Sequence, residues 1–224
     1  MSDWLLALHS STETLGLAMV SAQAPLSSAK VLCHPMGRAL TNALPSVLEE
    51  VLPVSEWSGI RRLAVATGPG GFTGTRLTVV LARTLAQQLQ CPLDGLSSFV
   101  LMAPRLQLEL PAAQRGEPFS IVQVLPRRGR VAGRYQVRDG WNQDNATCAE
   151  TDLRELQVPV LLHDAEQPTP ALTMAVDVGC DVLQLLRLCQ DRHASHASGP
   201  WDTVLPIYPT SPVGAVEWAL ASGP

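Results

Sequence analysis

The chain has 224 residues, 46% of them hydrophobic and 16% charged, a globular composition with room for one large or two small cores rather than a disordered one. Sixteen basic residues against twenty acidic ones leave a net charge of −4, which argues against a chain that grips nucleic acid by bulk electrostatics. Aromatic residues make up 4%, too few for a base-stacking platform, and Lys30 is the one candidate for lysine chemistry.

No run approaches the roughly 18 apolar residues of a membrane span. Nor does Met1-Ser2-Asp3-Trp4 carry the basic lead of a secretory signal. The expectation is a soluble cytoplasmic protein with no membrane contact. Cys33, Cys91, Cys148, Cys180 and Cys189 are odd in number and lack CxxC spacing, so they read as small buried hydrophobes in a reducing compartment.

In chain order, Leu5–Leu8 and Leu15–Met19 read as two strands of a hairpin around His9-Ser10-Ser11-Thr12-Glu13, with a third strand over Ala29–Cys33. Leu40, Leu44, Val47, Leu48, Val51 and Leu52 follow one helical face. Pro45 fits early in that helix if Thr41 or Asn42 caps it. Leu63–Ala66 reads as a buried strand entering Gly68-Pro69-Gly70-Gly71-Phe72-Thr73-Gly74. A helix follows over about Thr75–Leu89, with Leu77, Val80, Leu81, Leu85 and Leu89 on one side and Val79, Ala82 and Ala86 on the other. The order β-β-β-α-β-α belongs to the α/β class.

Beyond Pro104 the pattern weakens. Arg105–Glu117 reads as helix end plus linker, and strands are expected at Ile121–Val124, Val131–Val137 and Val158–Leu162. A helix is expected over Ala171–Gln190, then a polar loop to Pro200, a strand over Thr203–Ile207 and a closing helix over Val213–Ala221. The organisation is thus an N-terminal lobe over 1–104 and a smaller α/β lobe over 105–224, whose last helix packs back on the first lobe. The second lobe has room for a β-β-(β)-α unit like the first, although no repeat is visible by residue identity.

The glycine loop carries the most information. Small residues between a strand and a helix allow a tight turn and close approach, and free amides at a helix start attract anions. Gly74-Thr75-Arg76 lacks the Gly-Lys-Ser/Thr end of a phosphate loop, and the glycine spacing misses the dinucleotide fingerprint by one residue. Two readings stay open for Gly68, Gly70, Gly71, Phe72, Thr73, Gly74 and Arg76: a packed strand-to-helix connection, or an anion site. Cys189, Asp191, His193 and His196 crowd in sequence as metal ligands or as a solvated loop, and no helical zinc-hydrolase histidine pair is present. Arg127, Arg128, Arg130 and Arg134 read as a solvated strand edge or as an RNA-backbone contact.

Three segments resemble the TsaB (YeaZ) family of tRNA threonylcarbamoyladenosine (t6A) biosynthesis. Leu5–Glu13 is similar to its opening strand and D-T-S-T-E-like turn. Ala66–Leu77 matches its G-P-G-S-F-T-G-x-R signature with Gly71 in place of serine, and Leu205-Pro206-Ile207-Tyr208 resembles its late P-x-Y element. His9 replaces the usual aspartate, no histidine stands between Arg38 and Leu44, and Leu125–Arg130 has lost both acids of the family's D-A-R-x-G-E strand.

The resemblance implies two actin-like (ribonuclease H-like) lobes, each a mixed sheet with helices. It further implies a noncatalytic scaffold with no catalytic residues, metal or cofactor of its own. The implied partners are a TsaD homologue and a TsaE homologue, or a second copy when alone, with tRNA met through the complex. The family's interface helices correspond here to the two after the first strands, whose candidate contact residues are Leu44, Val47, Leu48, Val51, Leu77, Val80 and Leu81. An ATP-dependent kinase or ATPase of the same fold, binding Mg-ATP near His9–Thr12, is the alternative, although imidazole is a poor ligand for a hard cation. A metallopeptidase is the third reading.

Overall fold

The structure, a computed structural model, describes residues 3–125, 129–138, 141–142, 147–148, 152–162 and 168–208. The first sheet contains β1 (Trp4–His9), β2 (Thr14–Ser21), β3 (Lys30–Pro35), β4 (Ile60–Ala66) and β5 (Leu93–Leu96) in the order β3-β2-β1-β4-β5. Strands β1 to β3 run antiparallel, and β4 and β5 lie parallel to β1. Parallel pairs need crossovers. Helix α1 (Leu40–Val51) supplies one before β4, and α2 (Phe72–Leu89) links β4 to β5.

β1 and β4 are apolar on both faces because both faces are covered. Leu6, Leu8, Leu63 and Val65 pack with α1 and α2, and Leu5, Ala7, Ala64 and Ala66 pack on the other side. That other side is closed by α3 (Ser98–Leu106), whose Ser97 cap accepts a hydrogen bond from the Val100 amide at 3.2 Å, and by residues from the second half of the chain.

The second half holds β6 (Phe119–Leu125), β7 (Gly129–Arg138), the short pair β8 (Trp141–Asn142) and β9 (Thr147–Cys148), β10 (Asp152–Leu161), β11 (Ala171–Thr173) and α4 (Val178–Ala194). Its main sheet runs β10-β7-β6-β11, with β6, β7 and β10 antiparallel and β11 parallel to β6. This is the order and direction of β3-β2-β1-β4, so the repeat invisible in residue identity is present in topology. Helix α4 lies against the first sheet: Gly16 of β2 meets Val178 and Val182, and Val182, Leu185, Leu186 and Cys189 join the core under β1. The second half of the chain therefore completes the core of the first sheet.

Several expectations are corrected. Helix α1 begins at Leu40 after a 3-10 turn at Gly37–Ala39, with no side-chain cap. Thr41 and Asn42 are inside it and Pro45 is its sixth residue, where the missing proline N–H leaves one turn without its backbone bond. Residues 171–173 form a strand rather than the start of α4, which runs on to Ala194, into the first residues of the expected polar loop. Residues 203–207 form no strand, although the Ile207 amide bonds the Thr67 carbonyl at 2.7 Å. Strand β5 and most of α3 were missed. Cys33 is exposed rather than buried. The expected helix at Val213–Ala221 lies outside the described residues.

Candidate functional site

All three family-like segments meet at the carboxyl end of the first sheet, where open α/β sheets receive ligands. β1 delivers His9-Ser10-Ser11-Thr12, and parallel β4, one strand over, delivers the glycine loop. Gly68 takes a φ of +94°, which a side chain rarely tolerates, and its carbonyl accepts the Ser98 amide at 2.7 Å. A Cβ on Gly70 would stand 2.4 Å from the Ser11 carbonyl oxygen, and one on Gly74 would stand 2.9 Å from that of Ser10. The Gly71 amide donates to the Ser11 carbonyl at 2.6 Å. Ser10 and Thr78 of α2 join their hydroxyls at 2.7 Å. The two loops are pressed together, backbone to backbone.

His9 is fully buried beneath this contact. Its Nε2 is 3.2 Å from the Ser11 hydroxyl, Nδ1 has no partner, and burial pushes its pKa down to about 4. It sits there as neutral imidazole.

The third segment arrives by the Ile207–Thr67 bond and stacks Tyr208 on Phe72, ring centroids 5.0 Å apart and tilted by 39°. Helix α2 starts at Phe72, so Thr73 and Gly74 belong to its first turn. Phe72, Thr73 and Arg76 are exposed. A groove of about 610 Å³ runs between this turn and Thr12, Glu13, Gly37 and Leu40.

The seven apolar interface candidates divide. Leu44, Val47, Leu48 and Val51 are buried in the chain's own core, so the apolar face of α1 packs inward. On α2 the core face is Val79, Ala82, Leu85 and Ala86; Leu77 and Leu81 are half-buried, and Val80 is 53% exposed. Phe72, Arg76 and Val80 lie four residues apart on one outward stripe.

Two polar clusters escaped the sequence reading. Arg62 and Asp94, both 2% exposed at the side chain, pair through two bonds of 2.6 and 3.0 Å, and Arg192 of α4 adds a third at 2.7 Å. Arg62 also bonds the Ala197 carbonyl at 2.8 Å. A charge inside the apolar runs Ile60–Ala66 and Leu93–Leu96 was the available signal, because a buried charge requires a partner. In the second cluster Glu155 of β10 accepts the Ser97 and Tyr135 hydroxyls at 2.5 and 3.0 Å. Burial and the nearby Glu155 carboxylate raise the Tyr135 pKa. A cleft of about 340 Å³ passes between these clusters, lined by Thr67, Ser97, Glu155, Arg192, Thr203 and Leu205 among others.

Cys189 is buried in the core, whereas Asp191 pairs with Arg187 at 3.8 Å on the same helix. Among the described residues no three His, Cys, Asp or Glu side chains are placed to hold a metal ion. Nor is any helix among them long and apolar enough to cross a membrane. Arg127 and Arg128 lie outside the described residues, and Arg130 and Arg134 are on β7.

Residues 34–144 match the TsaD family model, described as tRNA N6-adenosine threonylcarbamoyltransferase. The tRNA threonylcarbamoyladenosine biosynthesis protein TsaB of Bacillus subtilis (strain 168) is 30% identical over 141 residues, which is 61% of this chain and 56% of that protein. Over these residues the chain is similar to the TsaB (YeaZ) family. The alignment thus spans little more than half of the curated TsaB it matches. Two solved structures from Pseudomonas aeruginosa share the two-lobed actin-like fold over 92% of this chain and 99% of theirs. One, titled an uncharacterized protein with similarity to peptidase YEAZ, has a TM-score of 0.65 at 20% identity. The other, titled YeaZ, has a TM-score of 0.60 at 21% identity. Within the TsaB pattern, the Gly71 position has room for a serine: its Cβ would find the Ser11 carbonyl oxygen at 3.6 Å.

Proposed function

We propose that this chain serves t6A formation in cytoplasmic tRNA as a noncatalytic scaffold that binds a TsaD homologue, with a TsaE homologue joining the pair. In the absence of TsaD it pairs with a second copy. The observation that carries this reading is the contact of Ser10 and Ser11 with Gly70 and Gly74: at the sheet end where a nucleotide would be received, the loops after β1 and β4 are pressed backbone to backbone. Beside it, Phe72, Val80 and Tyr208 remain exposed at 42%, 53% and 42%, and exposed apolar side chains grouped at one edge suit a protein partner.

The test is reconstitution with purified TsaD, TsaE and the threonylcarbamoyl-adenylate synthase of the same organism, following modified adenosine in tRNA. Dependence of modification on this chain supports the reading. Equal modification without it leaves only a shared fold, and Mg-ATP binding then becomes the measurement of interest.

A further inference from the structure

The sequence grouped Arg127, Arg128, Arg130 and Arg134 by proximity along the chain, and the fold groups arginines differently. The twenty residues Phe119–Arg138 contain five arginines and no acidic residue, in a chain whose net charge is −4. Along β6 and β7 the odd-numbered residues Phe119, Ile121, Val131, Tyr135 and Val137 face the core. Strand alternation therefore puts Arg130, Arg134 and Arg138 together on the opposite face. The register extends that face onto β10, where Asp152 pairs with Arg138 and Arg154 with Gln136.

The ionisable groups of this face, strand by strand, are few. β6 contributes Ser120, Val122 and Val124, and β11 contributes Ala171 and Thr173, none of them charged. β10 contributes Asp152 and Arg154, which neutralise each other at 2.8 Å. β7 contributes the half-buried Arg130 and the exposed Arg134 and Arg138. Neither Arg134 nor Arg138 meets a carboxylate among the described residues. Four positions along an extended strand put them about 13 Å apart. Between them the face is small or polar: Ser120 and Gln136 are buried beside them, and Gln136 is tied to the Gly116 carbonyl at 2.9 Å.

We infer that this outer face of the second sheet is a contact surface for an RNA sugar-phosphate backbone, with Arg134 and Arg138 as its phosphate-binding groups. Guanidinium groups pair well with phosphate oxygens, and contacts of this kind position a nucleic acid without reading its sequence. An acidic protein would satisfy the same charges. Among the described residues, however, the face offers no aromatic anchor of the kind that protein interfaces concentrate at their centres. The choice of RNA rests on the t6A reading above, and it gives this chain a direct share in holding tRNA within the complex.

The test uses the assembled complex, with fluorescently labelled unmodified tRNA and R134Q/R138Q beside wild type. Tight binding is expected to weaken on the order of tenfold near 0.1 M salt, and the slope of log affinity against log salt to fall by about 2, roughly one per lost phosphate contact. R134K/R138K is expected to restore most of both, because the charges return. An unchanged unfolding midpoint in R134Q/R138Q confirms that the fold is intact. Unaltered tRNA affinity and salt slope in the folded variant overturn the inference, as does loss of TsaD or TsaE binding with tRNA affinity retained, which marks a protein-binding face. The same titration on the isolated chain separates the two proposals: dependence of RNA binding on Arg134 and Arg138 stands even if modification proceeds without this chain.

Discussion

A Cβ on Gly70 would lie 2.4 Å from both the Cβ and the carbonyl oxygen of Ser11, a separation that real side chains do not adopt. Two loops 59 residues apart in sequence are thus held at backbone contact, and the Gly71–Ser11 bond of 2.6 Å closes the join. Gly70→Ala must push the β1–β2 turn away from α2, at a cost of about 2–4 kcal/mol in unfolding free energy. Gly71→Ser, at a position where a Cβ meets its neighbours only at ordinary contact distances of 3.6 Å and beyond, is expected to stay within about 0.5 kcal/mol of wild type. Urea unfolding of both variants checks the contrast. Equal stability of the two would mean that the loops are not in firm contact.

The first ninety residues were legible because their elements have the right lengths and periods. β1, β2 and β4 are short apolar runs bounded by turn residues, and Leu40, Leu44, Val47 and Leu48 mark a helix by spacing alone. α3 was missed because Phe99–Pro104 is apolar and buried on every side, and an all-apolar segment has no period to read. Residues 171–173, Ala-Leu-Thr, are too short a run to distinguish strand from helix by period. Spacing on α1 correctly found an apolar face but could not say whether it met the core or a partner. The Ser11–Gly70 contact and the Arg62–Asp94–Arg192 cluster bring together residues far apart in sequence, and no local pattern says which residues pair.

Two buried titratable groups give opposing pH dependences. His9 has its pKa pushed down to about 4 by burial, against about 6.5 in an unfolded chain. Below pH 6.5 the unfolded state therefore binds a proton that the folded state refuses, and stability falls as pH drops toward 4. Asp181, 1% exposed at the side chain, has its pKa pushed up to about 6 by burial, an effect that the Arg105 contact at 3.2 Å offsets only in part. There the folded state takes up the proton first, so stability rises as pH drops from 6 toward 3.8. Each effect amounts to about 2 kcal/mol between pH 7 and pH 5 or 4, and the two largely cancel. His9→Asn is expected to gain stability relative to wild type on acidification, and Asp181→Asn to lose it. Denaturant titrations at pH 7, 6 and 5 read this out; parallel curves for the three proteins would remove the assignment.

Asp94 holds two arginines at once, and only one of them is buried. Asp94→Ala leaves the Arg62 guanidinium inside the protein without its carboxylate, a loss of about 3–5 kcal/mol. Arg192→Ala removes a guanidinium that is 44% exposed and leaves the Arg62–Asp94 pair intact, so about 1 kcal/mol is expected. Chemical denaturation of the two single variants decides between this ordering and its reverse. A small effect from Asp94→Ala would show that water reaches Arg62.

Val80 separates partner binding from folding. It is 53% exposed on the outward stripe of α2, whereas Leu48 on α1 is fully buried. If the α2 stripe receives TsaD, Val80→Arg places a charge in an apolar interface and weakens association by more than tenfold while leaving the unfolding midpoint unchanged. Leu48→Ala has the opposite profile: about 2–5 kcal/mol of stability is lost by cavity formation, and the fraction that remains folded binds TsaD as wild type does. Calorimetric titration of each variant with TsaD, beside its thermal melt, yields the four numbers required. Wild-type affinity in Val80→Arg would exclude this stripe from the interface. With Leu44, Val47, Leu48 and Val51 committed to the core, the half-buried Leu77 and Leu81 would then be the apolar candidates left.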